Sequence, residues 1–255
     1  MDATTPALEA RGITRSFGAI KALENVNFEV LPGEVMALIG DNGAGKSTLV
    51  KALSGSITID TGEIFVSGKK VELDNTADAS GLGIETVYQD LALAPHLDPV
   101  QNMFLGREIP RSGVLGHLGF MDRQKMRKKA SDAFADLGGT VRSFTDPVGS
   151  MSGGQRQQIA IARAVYWANG VVLLDEPTAA LGVVQKKNVL DTIRRVRDRG
   201  VGVVFISHSM PEVMDVADRI HVLRLGRDVT TYKACDTNME MLVGAMTGAI
   251  EGVAA

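Results

Sequence analysis

Gly40-Asp41-Asn42-Gly43-Ala44-Gly45-Lys46-Ser47, with Thr48 behind it, is the stretch on which the fold turns. It fits G-x-x-x-x-G-K-[ST]. The apolar run Val35–Ile39 leads into it, and a helical pattern follows to about Gly55. Three glycines let the backbone curl until several N–H groups face one point, and the helix N-terminus adds positive potential there. Such a cradle suits a polyphosphate. Lys46 can reach the outer phosphates, and the Ser47 hydroxyl can ligate Mg²⁺.

Outward from this loop the same alternation recurs. Val171-Val172-Leu173-Leu174 runs into Asp175-Glu176, after which Val189, Leu190, Ile193 and Val196 recur at helical spacing until Gly200. Residues 201–207 read as the next strand. Unbroken apolar strands alternating with amphipathic helices predict a parallel sheet covered on both faces. Residues 8–30 and 62–71 read instead as short alternating strands, with Ile64-Phe65-Val66 and Ser67-Gly68-Lys69 forming one arm of a hairpin and its turn. They predict an antiparallel sheet at the edge of the parallel core. From 91 to about 164 the pattern is helical, clearest over residues 123–137, and predicts an inserted helical subdomain. The chain thus divides into a core (1–90 and 165–231), a helical insertion (91–164) and an uninformative tail (232–255), all within one α/β domain.

Composition narrows the function. Hydrophobic residues make up 45% and charged residues 22%, which excludes long disorder and fibrous repeats. With 27 basic and 30 acidic residues the net charge is -3, so no global basic field exists to hold nucleic acid. Cys235 is the single cysteine, which excludes an internal disulfide framework and fits a reducing compartment. No window approaches the roughly 18 apolar residues of a spanning helix, and residues 1–10 have no apolar core of the kind a secretory signal carries. His96, His117 and His221 are scattered and suggest no metal cluster.

Asp175, at the end of a buried strand, can hold the shell of a Mg²⁺ ion, and Glu176 can polarise an attacking water. Acids after strands also serve as helix caps; the phosphate loop tips the reading toward chemistry. A third motif, Met151-Ser152-Gly153-Gly154-Gln155, opens a helix containing Gln158, Ile159, Ala162 and Arg163. It resembles the signature of the ATP-binding cassette (ABC) ATPases, with Met where Leu is usual. A Ser hydroxyl and Gly N–H groups at a helix start suit a terminal phosphate.

The resemblance extends from Leu8 to about Met246 and implies further roles. Gln89, in Val87-Tyr88-Gln89-Asp90, resembles the loop glutamine that approaches Mg²⁺ and links core to helical subdomain. His208, in Ile206-Ser207-His208-Ser209, resembles the switch histidine, and Phe17 the aromatic that stacks on adenine. ATP and Mg²⁺ are the implied cofactors. Within the family, the stretches 87–93, 102–108, 216–220 and 224–227, and the closing Met246-Thr247-Gly248, resemble the ATPases of bacterial importers for ribose, xylose, galactose or fructose, in the single-cassette form.

That resemblance implies a protein peripheral to the cytoplasmic face of the cell membrane. Its partners would be a second copy, permease subunits and, indirectly, an extracellular or periplasmic sugar-binding protein, with no nucleic acid. Residues 91–97 are the implied permease contact. Lys46, Ser47, Gln89, Asp175, Glu176 and His208 of one copy would face Ser152 and Gly154 of the other. The alternatives are a non-transport ABC ATPase, disfavoured because sustained heptads and a second cassette are lacking, and a weakly hydrolysing switch, disfavoured by Glu176. One departure stands out. Pro177-Thr178-Ala179-Ala180-Leu181 is followed by Gly182, where most of the family carries an aspartate. The expectation is a left-handed backbone there that only glycine adopts easily, so that Gly182→Asp would be harmful.

Overall fold

A computed structural model of the protein describes residues 5–138, 143–179 and 181–249. Ala180, part of the helical insertion (139–142) and both ends of the chain, the last residues of the tail included, lie outside the described residues. In chain order, β1 (Leu8–Phe17), β2 (Ile20–Val30) and β3 (Val35–Ile39) lead to α1 (Lys46–Leu53). Next come β4 (Thr61–Val66), β5 (Lys69–Val71), α2 (Thr76–Gly81) and β6 (Ile84–Val87). Four helices follow: α3 (Pro99–Phe104), α4 (Val114–His117), α5 (Arg123–Asp136) and α6 (Gly153–Trp167). The chain continues through β7 (Val171–Asp175), α7 (Val183–Asp198), β8 (Gly202–Ile206) and α8 (Met210–Val216). It closes with β9 (Arg219–Arg224), β10 (Arg227–Lys233) and α9 (Met239–Thr247).

The larger sheet has the order β10-β9-β3-β8-β7-β6. All its pairings are parallel except that of β10 with β9. Its central strands alternate sides, and both sides are buried. Val35, Ala37, Ile39, Val172, Leu174, Val203 and Phe205 enter the core beneath α3 and α5–α9. Met36, Leu38, Val171, Leu173, Val204 and Ile206 enter a second core. Apolar residues on both faces explain why these strands read as unbroken runs. Each of the Val, Leu, Ile, Met and Phe side chains, fully buried, contributes about 1.5–3 kcal/mol.

The second core is closed by α1, through Leu49, Val50 and Leu53, and by a separate antiparallel sheet of order β2-β1-β4-β5. The antiparallel strands therefore cover one face of the parallel sheet, while its own antiparallel edge is β10. The β4–β5 hairpin turns at Ser67 and Gly68, both with positive φ (49° and 77°), which matches the right-handed twist of the strands. Helix α6 runs past residue 164, where the helical insertion was expected to end, and packs on β6. In the tail, α9 is no loose end: Leu242 and Ala245 are fully buried under it, against β9.

Gly182 departs from expectation. Its φ of -72° and ψ of 166° are ordinary extended values, so no left-handed strain reserves the site for glycine. It is the N-cap of α7 and offers no side-chain cap. A Cβ there would meet only Gln185 Oε1, at 2.6 Å, the movable end of a side chain. An aspartate would supply the missing cap, so the expected Cβ penalty does not exist.

The glycine that cannot change is Gly45. Its φ is +105°, and a Cβ would lie 2.7 Å from the Ala22 carbonyl oxygen and 2.9 Å from Leu23 Cδ2 on β2. That approach is laced tight: Gly226 N donates to Ala44 O at 3.0 Å, and Glu24 N to Gly226 O at 2.7 Å. Gly43 also has positive φ (81°) but open space around it. Gly43→Ala should therefore cost about 1–2 kcal/mol, the left-handed penalty alone, and Gly45→Ala about 3 kcal/mol or more. Denaturant titration of the two variants measures this; equal losses would show that the β2 contact does not constrain the loop.

Candidate active site

Parallel strands β3, β8, β7 and β6 end at one edge of the sheet, and the residues singled out from sequence emerge there. Leu38 pairs with Ile206, and Ile206 with Asp175, so the ends of β3, β8 and β7 lie level. Loop 40–47 leaves β3, Asp175 and Glu176 end β7, His208 follows β8, and Gln89 lies two residues past β6. In open α/β sheets this carboxyl edge is where ligands bind.

Lys46 is buried, and its ammonium folds back to donate to Gly40 O at 2.7 Å and Asp41 O at 2.9 Å. Burial lowers its pKa, and the negative charges of Glu176, Asp41 and Asp175 oppose that shift. Burial likewise raises the Asp175 carboxyl, and Glu176 raises it further; Lys46, Lys51 and His208 pull it back. Lys46, Asp175, Glu176 and His208 thus lie within electrostatic reach of one another. His208 Nε2 sits 2.7 Å from Glu176 Oε1. Glu176 has φ of 50°, a left-handed value for a residue with a side chain. Its N–H donates to Ile206 O at 3.1 Å, and its carbonyl accepts from Ala179 N at 3.1 Å. Strain of this kind costs about 1–3 kcal/mol and persists where surrounding structure fixes it.

The residues present fit a nucleotide phosphate and Mg²⁺. At Gly40 a Cβ would fall 2.3 Å from Leu223 O and 2.9 Å from Ala44 Cβ, so the loop closes to this radius only without one. Asp41, Asn42, Gly43 and Ser47 are exposed on the cradle, Thr48 is half-buried, and Ala44 is buried beneath it. No cluster of three or more His, Cys, Asp or Glu suited to a metal occurs among the described residues. One carboxylate and one hydroxyl match Mg²⁺, which keeps several waters and takes its other ligands from phosphates.

Among the described residues, the other predicted residues form no hydrogen bond or ion pair with these groups. Phe17 ends β1, about half-exposed, with the Arg15 guanidinium 5.1 Å from its ring centre. Gln89 is exposed. Ser152 is the N-cap of α6: its hydroxyl accepts from Gln155 N at 3.3 Å, and Gln155 Oε1 accepts from Ser152 N at 3.1 Å. Gly153 and Gly154 form the first turn, and a Cβ on Gly154 would lie 2.8 Å from Gln185 Cγ of α7. Among the described residues no hydrogen bond or ion pair joins residues 152–155 to loop 40–48 of the same chain.

Arg163 has a role that sequence reading placed only on a helix. Its guanidinium donates to Ala92 O at 2.7 Å and Leu91 O at 3.1 Å. Both acceptor residues have positive φ, 44° and 61°. Arg163 thus fastens α6 to the strained turn just after Gln89. No local signal marks the pairing, because the partners are 71 and 72 residues apart.

A glycine cradle on a parallel sheet, with an acid and a histidine at the adjoining strand ends, defines a P-loop nucleotide-binding fold. The sequence model described as "ABC transporter" matches residues 23–179, and the chain belongs to that family. It is 47% identical over 251 residues to the "Fructose import ATP-binding protein FrcA" of Rhizobium meliloti, covering 98% of this chain and 96% of that one. It is 44% identical to the "Xylose/arabinose import ATP-binding protein XylG" of Sulfolobus acidocaldarius, covering 94% and 93%. A "Ribose import ATP-binding protein RbsA 1" from Rubrobacter xylanophilus is 43% identical, and the chain spans 47% of its length. The ADP conformation of MJ1267, an ATP-binding cassette of an ABC transporter, shares the fold with a TM-score of 0.79 at 24% identity over 96% of each chain. The dimeric cassette MJ0796 does so at 0.76 and 24%, over 89% of this chain and 98% of that one.

If Arg163 holds the turn after Gln89, Arg163→Ala should speed amide exchange across residues 88–93 by about tenfold or more, and Arg163→Lys should not restore protection, since lysine lacks the planar fork whose two terminal nitrogens each reach one carbonyl. Unchanged exchange in Arg163→Ala would show that the turn holds itself.

Proposed function

We propose that this chain is the ATP-hydrolysing subunit of an ABC importer for a monosaccharide, working as a pair of cassettes beneath a permease. The observation that carries the hydrolytic reading is the Glu176–His208 contact, at 2.7 Å, on the strand edge shared with buried Lys46. The sugar class is supported by relatives named for fructose, xylose/arabinose and ribose import. They name four sugars, and the choice among them rests with other subunits of the importer.

The residues divide the work as follows. Backbone N–H groups of residues 41–48 and the Lys46 ammonium bind the outer phosphates and neutralise charge that grows in the transition state. Lys46 can do so because an ammonium has three donors and two carbonyls occupy two of them. Phe17 offers an exposed ring face to the base. Ser47, Asp175 and Gln89 would hold Mg²⁺, which supplies charge neutralisation on the phosphates when bound. Glu176 takes the proton from the attacking water at its free carboxylate oxygen, while His208 steadies the other. Catalysis of this kind is positioning plus electrostatics.

Two copies are invoked because, among the described residues, no hydrogen bond or ion pair joins residues 152–155, at the start of α6, to their own phosphate loop. A head-to-tail pair would set that helix start against the partner's terminal phosphate. A cassette of similar fold is dimeric, which supports pairing. Among the described residues no helix is long and apolar enough to cross a membrane. The importer names of the relatives support contact with the bilayer through partner subunits, at its cytoplasmic face. Leu97, the last of residues 91–97, lines a groove of about 540 Å³ with Val100, Leu105 and Met121 and with the charged Glu108 and Arg127, a mixed surface of the size a permease loop would fill.

Glu176→Gln should retain MgATP binding and lose turnover by roughly a hundredfold or more. Steady-state hydrolysis with parallel nucleotide-binding titrations measures both, and near-normal turnover would remove Glu176 from the mechanism. Shared sites predict complementation. Ser152→Arg and Lys46→Ala chains should each be inactive, and their mixture should recover partial activity from the one composite site that is intact. Robust hydrolysis by either variant alone would rule out sharing.

A further inference from the structure

Glu212, on the first turn of α8, is a buried carboxylate outside the residues assigned above. Its partners come from three different segments. Oε2 accepts the Thr178 hydroxyl in a short hydrogen bond and the Ser207 hydroxyl at 3.3 Å. Oε1 pairs with the Lys186 ammonium of α7 at 2.9 Å. Ser207 Oγ in turn accepts from Ser209 N at 3.0 Å. Thr178 and Ser207 are themselves buried. Burial alone would raise the Glu212 carboxyl; the pair with Lys186 and the two hydroxyls outweigh it and lower its pKa, so the group stays charged.

The position of these partners gives the cluster its meaning. Thr178 stands two residues after Glu176, and Ser207 immediately before His208. Glu176 and His208 therefore hang on two separate loops, one leaving β7 and the other leaving β8. The only links that reach across these loops among the described residues are the Glu176 N to Ile206 O bond, the Glu176–His208 contact itself and the Glu212 carboxylate. Glu176 holds a strained left-handed backbone, which needs such restraint. Lys186 adds the counter-charge that makes burial of a carboxylate tolerable. It sits on the first turn of α7, where its N–H accepts no slack: it donates to Gly182 O at 2.9 Å.

We propose that Glu212 is a positioning residue for hydrolysis: by clamping Thr178 and Ser207 with one carboxylate oxygen it holds Glu176 and His208 in contact, and through Lys186 it ties that contact to the start of α7. The proposal rests on the hydrolytic reading of Glu176 and goes beyond it in naming what sets the geometry.

The test is steady-state ATP hydrolysis by the full chain, wild type, Glu212→Ala, Glu212→Gln and His208→Ala, together with the double variant Glu212→Ala/His208→Ala. Glu212→Ala should lower kcat about tenfold or more with KM for ATP within about twofold of wild type. Glu212→Gln keeps an acceptor for both hydroxyls and should recover kcat to within about threefold. The double variant should be no slower than His208→Ala, because both changes act through one contact. A merely structural role would instead raise KM together with the loss of kcat, or make the two losses multiply, and either result overturns the proposal; so does an unchanged kcat in Glu212→Ala. Should that variant fail to fold, Thr178→Val removes one hydroxyl with little change of shape. Its kcat should fall about threefold at constant KM, and no change would equally overturn the clamp. A wild-type chain without hydrolysis would bring down the reading of Glu176 itself, which separates the two failures.

Discussion

The ammonium of Lys46 is held out of water at the carboxyl edge of the parallel sheet, with the carbonyls of Gly40 and Asp41 in place of its hydration. A buried charge has to be solvated by something, and much of the local architecture serves that need. The loop must curl tightly enough for its own carbonyls to reach Nζ, which forces glycine where β2 and the β9–β10 turn press against it. The sheet must deliver countercharges to the same edge, and the level ends of β3, β8 and β7 do so through Asp175 and Glu176. The raised Asp175 carboxyl and lowered Lys46 ammonium record their burial first, and each group's charge pulls the other's shift back. A site poised in that way gains from a ligand that brings both negative phosphates and a hard cation.

Much of this was legible in sequence because the constraints are local. Val35–Ile39 and Val171–Asp175 are buried on both faces, so each reads as an unbroken apolar run, and the loop between strand and helix can be built from few residue types. The Ser67-Gly68 turn was legible for the same reason. What escaped depends on partners distant in the chain. Arg163 meets Leu91 and Ala92, and Glu212 meets Thr178 and Lys186, through side chains whose spacing carries no periodic signal. The tail reads as helical at best, because the buried face of α9 is only Leu242, Gly244 and Ala245, too few residues to set a clear pattern. At Gly182 the residue type suggested a left-handed backbone, whereas helix capping, which needs only extended angles, decides the conformation.

The two halves of the chain do different physical work. The sheet edge is rigid, with neighbouring strands in register and apolar cores on both faces, so it fixes the reacting groups against one another. The helical segment from α3 to α6 touches that edge through the turn after Gln89, which Arg163 grips from α6. Displacement of α6 is thereby passed to the turn that follows β6. That is the mechanical requirement for coupling nucleotide state to a partner that rests on the helical segment. The same helix carries Ser152 at its start, so the group we propose faces a second cassette and the grip on the Gln89 turn belong to one helix.

The central claim is that loop 40–48 binds the phosphates within one chain while residues 152–155 meet them only across a pair. Amide hydrogen exchange of the wild-type chain, with and without MgATP, at chain concentrations below and above dimerisation, tests it directly. The account predicts slowed exchange at residues 41–48 at every concentration, and slowed exchange at 153–156 only where the dimer forms. Protection of both segments in the monomer, or of neither on adding MgATP, would contradict it.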